Sequence, residues 1–158
     1  MSVIVTHMHH DDINSVAKIH AQQFPRQHNS HGWINCNFVA YPRIMLFVAR
    51  DEKDNVVGYI QWIQKSGFRK ESILELEQIA VLKNYQGKGI GMKLIKESLN
   101  HIKTYLDDSN SNLKAILIST RTDNQAKAWY KKTLGAEEIA VIKDLYSADE
   151  VIMLVRYI

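Results

Sequence analysis

Apolar residues recur along the chain in two periods, one of two residues and one near 3.6, and the changes of period mark out the elements. Val3 to Thr6 reads as a short strand. From Asp11 onward Ile13, Val16, Ala17, His20 and Phe24 fall on one helical face, with Asp11 or Asp12 as the cap. Phe24 to Arg43 holds both prolines, Pro25 and Pro42, and is expected to be irregular. Met45 to Arg50 and Val56 to Gln64 are strand-like, and the polar turn Asp51 to Asn55 joins them as a hairpin. Ile73 to Val81 predicts another strand. Gly91 to Leu106 predicts an amphipathic helix with Leu94, Ile95, Leu99, Ile102 and Leu106 on its apolar side. Ala115 to Thr120 is a continuous apolar run of the kind buried on both faces of a sheet. Asp123 or Asn124 caps a helix that ends near Leu134, with Gly135 as its stop. Ile139 to Ile142 and Val151 to Ile158 close the chain as strands. The order is that of a mixed α/β layer fold. No linker or repeat divides it, so residues 1–158 are expected to form one domain.

Within Ile73 to Val81 the large apolar residues change parity. Leu74 and Leu76 occupy even positions, while Ile79 and Val81, past Gln78, occupy odd ones. A regular strand keeps one parity, so a one-residue slip, a β-bulge after Gln78, is the economical reading. The alternative is a strand buried on both faces. A bulge leaves backbone N–H and C=O groups unpaired beside two carboxylates, Glu75 and Glu77.

The segment Gln86-Gly87-Lys88-Gly89-Ile90-Gly91 lies between that strand and the long helix. Glycines there permit positive φ and leave free N–H groups at the positive end of a helix, a setting for phosphate oxygens. The common nucleotide loops do not fit. A Walker A loop ending at Gly87-Lys88 needs glycine at Leu82 and a hydroxyl at Gly89, and a dinucleotide fingerprint starting at Gly87 needs glycine or alanine at Met92. The plain alternative is a glycine turn that only caps a helix.

Composition narrows the field. With 46% hydrophobic and 23% charged residues in 158, the chain has a globular balance. It shows neither a membrane span nor a secretory signal, and a cytoplasmic location is expected. A formal charge of +3 argues against nucleic acid, and Lys127, Lys131 and Lys132 read as a solvated helix face. The lone Cys36 excludes an internal disulfide and a multi-cysteine zinc site. His7, His9, His10, His20, His28 and His31 crowd the first part of the chain without a carboxylate–histidine pattern, so no metal is expected. Trp33, Phe38, Tyr41, Tyr59 and Trp62 are candidates for an acceptor pocket or for the core.

The glycine loop, the strand before it and a block downstream resemble the GNAT superfamily of N-acetyltransferases, which move an acetyl group from acetyl-CoA to an amine. The family signature Q/R-x-x-G-x-G/A is matched by Gln86, Gly89 and Gly91. Thr122 to Tyr130, with Leu134-Gly135, is similar to the second conserved block, in which an Asn opens a helix and a Tyr follows. Ala136 departs from the large aromatic common after that glycine. The resemblance implies a mixed, mostly antiparallel sheet of about seven strands with a bulged central strand and flanking helices. It also implies acetyl-CoA as co-substrate, held by Ile79, Ala80, Val81, Gln86, Gly87, Lys88, Gly89, Ile90, Gly91, Met92 and Asn124.

By the same resemblance Glu77 or Glu75 serves as general base, with Glu77 preferred for its nearness to the bulge, and Tyr130 as general acid. The Val81 N–H would stabilise the oxyanion. The plain readings are solvated glutamates on an exposed strand face, a core tyrosine and an Asn124 that only caps its helix. The expected acceptor is a small-molecule or peptide amine, and the two glutamates weakly favour a cationic one. A homodimer is common in the family, though no patch in this sequence marks an interface. The rival classes are a non-catalytic acyl-CoA sensor and a nucleic-acid-binding protein using the Lys127–Lys132 helix.

Overall fold

The structure, a computed structural model, describes residues 2–157. Seven strands form one sheet in the order β1-β2-β3-β4-β5-β7-β6. The strands are β1 (Ile4–His7), β2 (Ile44–Arg50), β3 (Val56–Lys65), β4 (Glu71–Val81), β5 (Asn112–Arg121), β6 (Glu137–Ile142) and β7 (Glu150–Arg156). The helices are α1 (Ile13–Gln23), α2 (Ser30–Val39), α3 (Ile90–Asp108) and α4 (Ala126–Leu134). All neighbouring strands run antiparallel except β4 and β5, which are parallel. No helix among the described residues is long and apolar enough to cross a membrane.

The sheet separates two cores. On one face α3 buries Leu94, Ile95, Leu99, Ile102 and Leu106 against Ile60, Trp62, Leu74, Leu76, Ile116 and Ile118, and Tyr130 of α4 joins this cluster. On the other, Val16 and Ile19 of α1 and Ile34 of α2 pack on Leu46, Val48, Tyr59 and Ala80. Strand alternation explains the division, since Tyr59 and Trp62, three residues apart, face opposite ways.

Most expected elements form within a residue or two of their predicted bounds, and the Asp51–Asn55 turn closes the β2–β3 hairpin with Asp51 Oδ1 accepting from the Asn55 N–H at 2.9 Å. Three corrections stand out. Part of the segment expected to be irregular, 24–43, is helix α2, capped by Asn29 in a left-handed conformation whose side chain accepts from the Gly32 N–H at 3.1 Å. Its apolar residues Trp33, Ile34, Phe38 and Val39 are spread around the helix, so no amphipathic stripe announces it. Ala115 to Thr120 is not buried evenly, because Leu117 and Ser119 are only half-buried. The last strand ends at Arg156, and its predicted end at Ile158 lies outside the described residues.

Candidate active site

The bulge falls one residue earlier than the parity change suggests. Gln61 of β3 stands opposite Gln78, while Trp62 stands opposite Leu76, so Glu77 is the residue without a partner. Before it Leu74 and Leu76 face the α3 core; after it Ile79 and Val81 pack against that core and Ala80 turns to the α1/α2 side. Gln78 misled the placement. It is polar yet buried, at 6% exposure, facing α1 and α2.

The parallel β4–β5 ladder ends at Glu75 and Leu117, although β4 continues to Val81 and β5 to Arg121. The two strands therefore part, opening a cleft through the sheet. The Leu82 N–H donates to the Val57 carbonyl at 2.9 Å, which makes Gly58–Val81 a non-hydrogen-bonded pair. Alternation then makes Ile60–Ile79 another such pair. Ile79 and Val81 thus direct their backbone N–H and C=O groups away from β3 into the cleft, while those of Ala80 face Tyr59 of β3.

At the end of this wall the chain turns through a short 3-10 segment, Lys83–Tyr85, into the glycine loop. Gly87 and Gly89 have φ of 73° and 78°, left-handed values that side chains resist. Gly89 is the residue before α3, and no side chain caps that helix. The N–H groups from Gly87 to Met92 have no protein acceptor among the described residues. They form a run of open donors reinforced by the helix dipole. At Gly91 the reason for glycine is space, since a Cβ would lie 3.3 Å from Trp129 Cζ2 of α4. The Gln86 side chain turns inward, with Nε2 donating to the Val81 carbonyl at 2.9 Å, and so ties the loop to β4. Lys88 Nζ donates to the Asn84 carbonyl at 2.8 Å.

Asn124, rather than Asp123, supports the start of α4. Its Oδ1 accepts from the Ala126 N–H at 2.9 Å and its Nδ2 donates to Thr120 Oγ1 at 3.1 Å. Asp123 instead pairs with Arg121. Tyr130 is 7% exposed, and burial pushes its phenol up to about 12, above the ordinary value. Lys127 and Lys131 both reach Glu138, as a solvated helix face does.

The two glutamates have different surroundings. Glu75 is half-buried and pairs with Lys65 at 2.9 Å. Glu77, on the bulge, accepts from Gln61 Nε2, and Gln61 Oε1 in turn accepts from Asn37 Nδ2 of α2 at 3.1 Å. Burial raises the Glu77 pKa and the Glu75 charge adds to this, against lowering by the Gln61 bond, Lys65 and Arg43. Beside it Gln78 Oε1 accepts from Tyr59 OH at 3.0 Å and from Trp33 Nε1 at 3.3 Å, and Gln78 Nε2 donates to Gln27 Oε1 at 3.2 Å. The alternation of polar and apolar residues along these strands does not predict this buried polar array. Its signal in the sequence is Gln61 and Gln78, polar residues set within apolar strands.

Residues 42–133 match the family described as acetyltransferase (GNAT) domain, which is more than half of the chain. The chain belongs to the GNAT acetyltransferase family. It is therefore an acyltransferase, as the signature implied, and the seven-stranded sheet with its bulged central strand is the GNAT fold. No curated protein matches the chain. Among solved structures, Ard1 from Thermoplasma volcanium superposes with a TM-score of 0.80 at 20% identity, covering 100% of this chain and 99% of that one. NAA60 from Arabidopsis thaliana in complex with acetyl-CoA gives 0.78 at 14% identity, covering 98% of each chain. A variant of the spermidine N-acetyltransferase SpeG from Vibrio cholerae gives 0.74 at 15% identity, covering 98% of this chain and 93% of that one. Among the described residues no cluster of His, Cys, Asp and Glu could hold a metal ion.

Proposed function

We propose that this GNAT-family protein transfers the acetyl group of acetyl-CoA directly to an amine, with Glu77 as general base and Tyr130 as the donor to the leaving sulfur. The observation that carries the reading is the cleft itself. A run of open N–H donors, Gly87 to Met92, stands at the end of a strand whose Ile79 backbone groups and Val81 N–H face the cleft, and a half-buried carboxylate sits on the bulge of the same strand. The diphosphate of acetyl-CoA suits the N–H run, and its amide-bearing arm suits the free backbone of β4. The related fold of NAA60 binds acetyl-CoA, and the NatC complex binds CoA with a peptide. The acceptor class is an amine of a peptide or a small molecule, in line with the peptide-bound and spermidine-acetylating proteins of this fold.

Acetyl-CoA supplies an activated thioester. This chain's residues supply the rest. Glu77 takes a proton from the attacking nitrogen, directly or through water, and its raised pKa makes it a stronger base than an ordinary carboxylate. The Val81 N–H is available to the carbonyl oxygen as charge develops there. Tyr130 is protonated throughout the working range, and a phenol near 12 is a weaker acid than a thiol of ordinary pKa ~8.5. It therefore supports the departing sulfur by donating a hydrogen bond rather than by surrendering its proton. Tyr130→Phe is accordingly expected to lower kcat by about a hundredfold, the low end for removing one hydrogen-bond donor to developing charge, with acetyl-CoA affinity unchanged. Steady-state rates together with equilibrium binding of the donor check this.

The direct test of the reading is a thermal-shift titration with acetyl-CoA beside adenosine diphosphate. At ~100 times its dissociation constant a ligand adds about 2.7 kcal/mol, several degrees for a domain of this size. A saturable shift well beyond the control supports the donor site. No shift at millimolar acetyl-CoA would leave the glycine loop a helix cap and remove the catalytic assignment. A shift without turnover of any amine would point to an acyl-CoA sensor.

A further inference from the structure

On the α1/α2 face three separate segments meet where β4 and β5 part. The α1–α2 loop is moored to β4 by the Gln27–Gln78 bond and steadied from behind by His20, which is fully buried. His20 Nε2 lies 2.8 Å from Gln27 Oε1, which can only accept, so Nε2 carries the proton and Nδ1 accepts from Ser30 Oγ at 2.8 Å. This fixes the residue next to Gln27. Arg26 Nη1 donates at 2.6 Å to Ser147 Oγ of the β6–β7 loop, and Arg121 Nη1, from the last residue of β5, donates to the same oxygen at 2.9 Å. Alternation along β5 places Arg121 on this face, since Ile116 and Ile118 point to the α3 core.

Two guanidinium groups thus converge on one neutral hydroxyl. Asp123 occupies the Nε and Nη2 edge of Arg121, at 2.9 and 2.8 Å, and lies near enough to Arg26 to feel its charge, but Arg26 forms no ion pair among the described residues. Exposed Arg43, close enough to Glu77 to lower its pKa, has none either. Of the carboxylates on the same face, Glu75 is paired with Lys65, while Glu77 and Glu150 are held by neutral groups, Gln61 and, at 2.9 Å, Ser119. At the convergence itself the charge without an ion-pair partner is that of Arg26. An anion there finds Arg26 without a counter-ion and the Nη1 edge of Arg121 beside it, donors of the kind that bind carboxylates most strongly.

We infer that the acceptor is an amine that also carries a carboxylate, as an amino acid or an acidic peptide does, and that Arg26, with Arg121 and Ser147, selects for that group. The inference rests on the acetyl-transfer reading above. It places the carboxylate at the Arg26–Ser147–Arg121 convergence and the amine toward Glu77.

The test is equilibrium binding to the CoA-saturated protein of two matched pairs: a free amino acid with its carboxamide, and a short peptide with aspartate as second residue with its asparagine counterpart. The carboxylate member of at least one pair is expected to bind on the order of tenfold to a hundredfold more tightly. Which pair shows the difference tells a free amino acid from a peptide. Arg26→Gln should erase that preference and Arg26→Lys keep part of it, while acetyl-CoA affinity stays the same in both. Equal binding within both pairs, no binding of any carboxylate-bearing amine, tighter binding of spermidine, or a preference that survives Arg26→Gln would each overturn the inference. Loss of acetyl-CoA binding by the unmodified protein would instead defeat the earlier reading.

Discussion

Replacing Glu77 by glutamine is expected to lower kcat/KM by a hundredfold to ten-thousandfold while acetyl-CoA binds as before. Glutamine keeps the shape and can still accept from Gln61, but it cannot take a proton. The pH dependence separates this from a packing effect. The base works as a carboxylate, so the rate of the unmodified enzyme falls as pH drops through the Glu77 pKa, and this limb lies above the usual carboxylate range because burial raises it. In the variant the limb disappears. Stability moves the other way. A raised folded-state pKa means that folding favours the protonated form, so the contribution of Glu77 is full below its unfolded pKa and is lost as pH rises through the folded one. Glutamine has no such loss, and at neutral pH the variant should melt no lower than the parent. A variant that kept its rate and its acid limb would move the assignment away from Glu77.

Trp62→Ala is expected to cost about 3–5 kcal/mol, a large share of the 5–15 typical of a domain. The ring is fully buried between β3 and α3, and its Nε1 donates to Ser98 Oγ, itself fully buried, at 2.9 Å. No small side chain fills that volume. At 2–4 °C per kcal/mol for a chain of this size, melting should fall by roughly 10 °C. Trp62→Phe keeps most of the buried area and should lose about a third as much. Trp62 also stands opposite Leu76, the last paired residue before the bulge, so its loss should loosen the mount of Glu77 as well. Denaturant melts of both variants check the stability figure. A drop under about 1 kcal/mol for alanine would mean that the α3 core re-packs around the gap.

Much of this arrangement is legible in the residues. The Asp51–Asn55 turn fixes the β2–β3 hairpin, and the stripe from Leu94 to Leu106 fixes α3, because each sits between two elements of clear period. Gly87, Gly89 and Gly91 are readable for a different reason, since few backbones need three glycines so close together. Helix α2 escapes because Asn29 caps it from a left-handed conformation and because only Ile34 and Asn37 are buried along it. The bulge was visible as a change of parity but misplaced by one residue, since parity treats a polar side chain as outward-facing and Gln78 is not. Glu75 and Glu77 share parity and residue type, so nothing in the sequence separates their surroundings. Only tertiary partners do, Lys65 for one and Gln61 backed by Asn37 for the other. The Arg26–Ser147 contact spans most of the chain and leaves no local trace.

The early end of the β4–β5 ladder has a mechanical consequence. The four strands β1 to β4 and the three strands β5, β7 and β6 form two plates that share only the short run of rungs between Glu71–Glu75 and Asn112–Leu117, with a gap beyond it. A molecule lying along the free edge of β4 takes the place of the missing rungs and braces one plate against the other. The gap separates Arg121, on the edge of one plate, from Glu77, on the edge of the other, so whatever occupies it lies between those two residues.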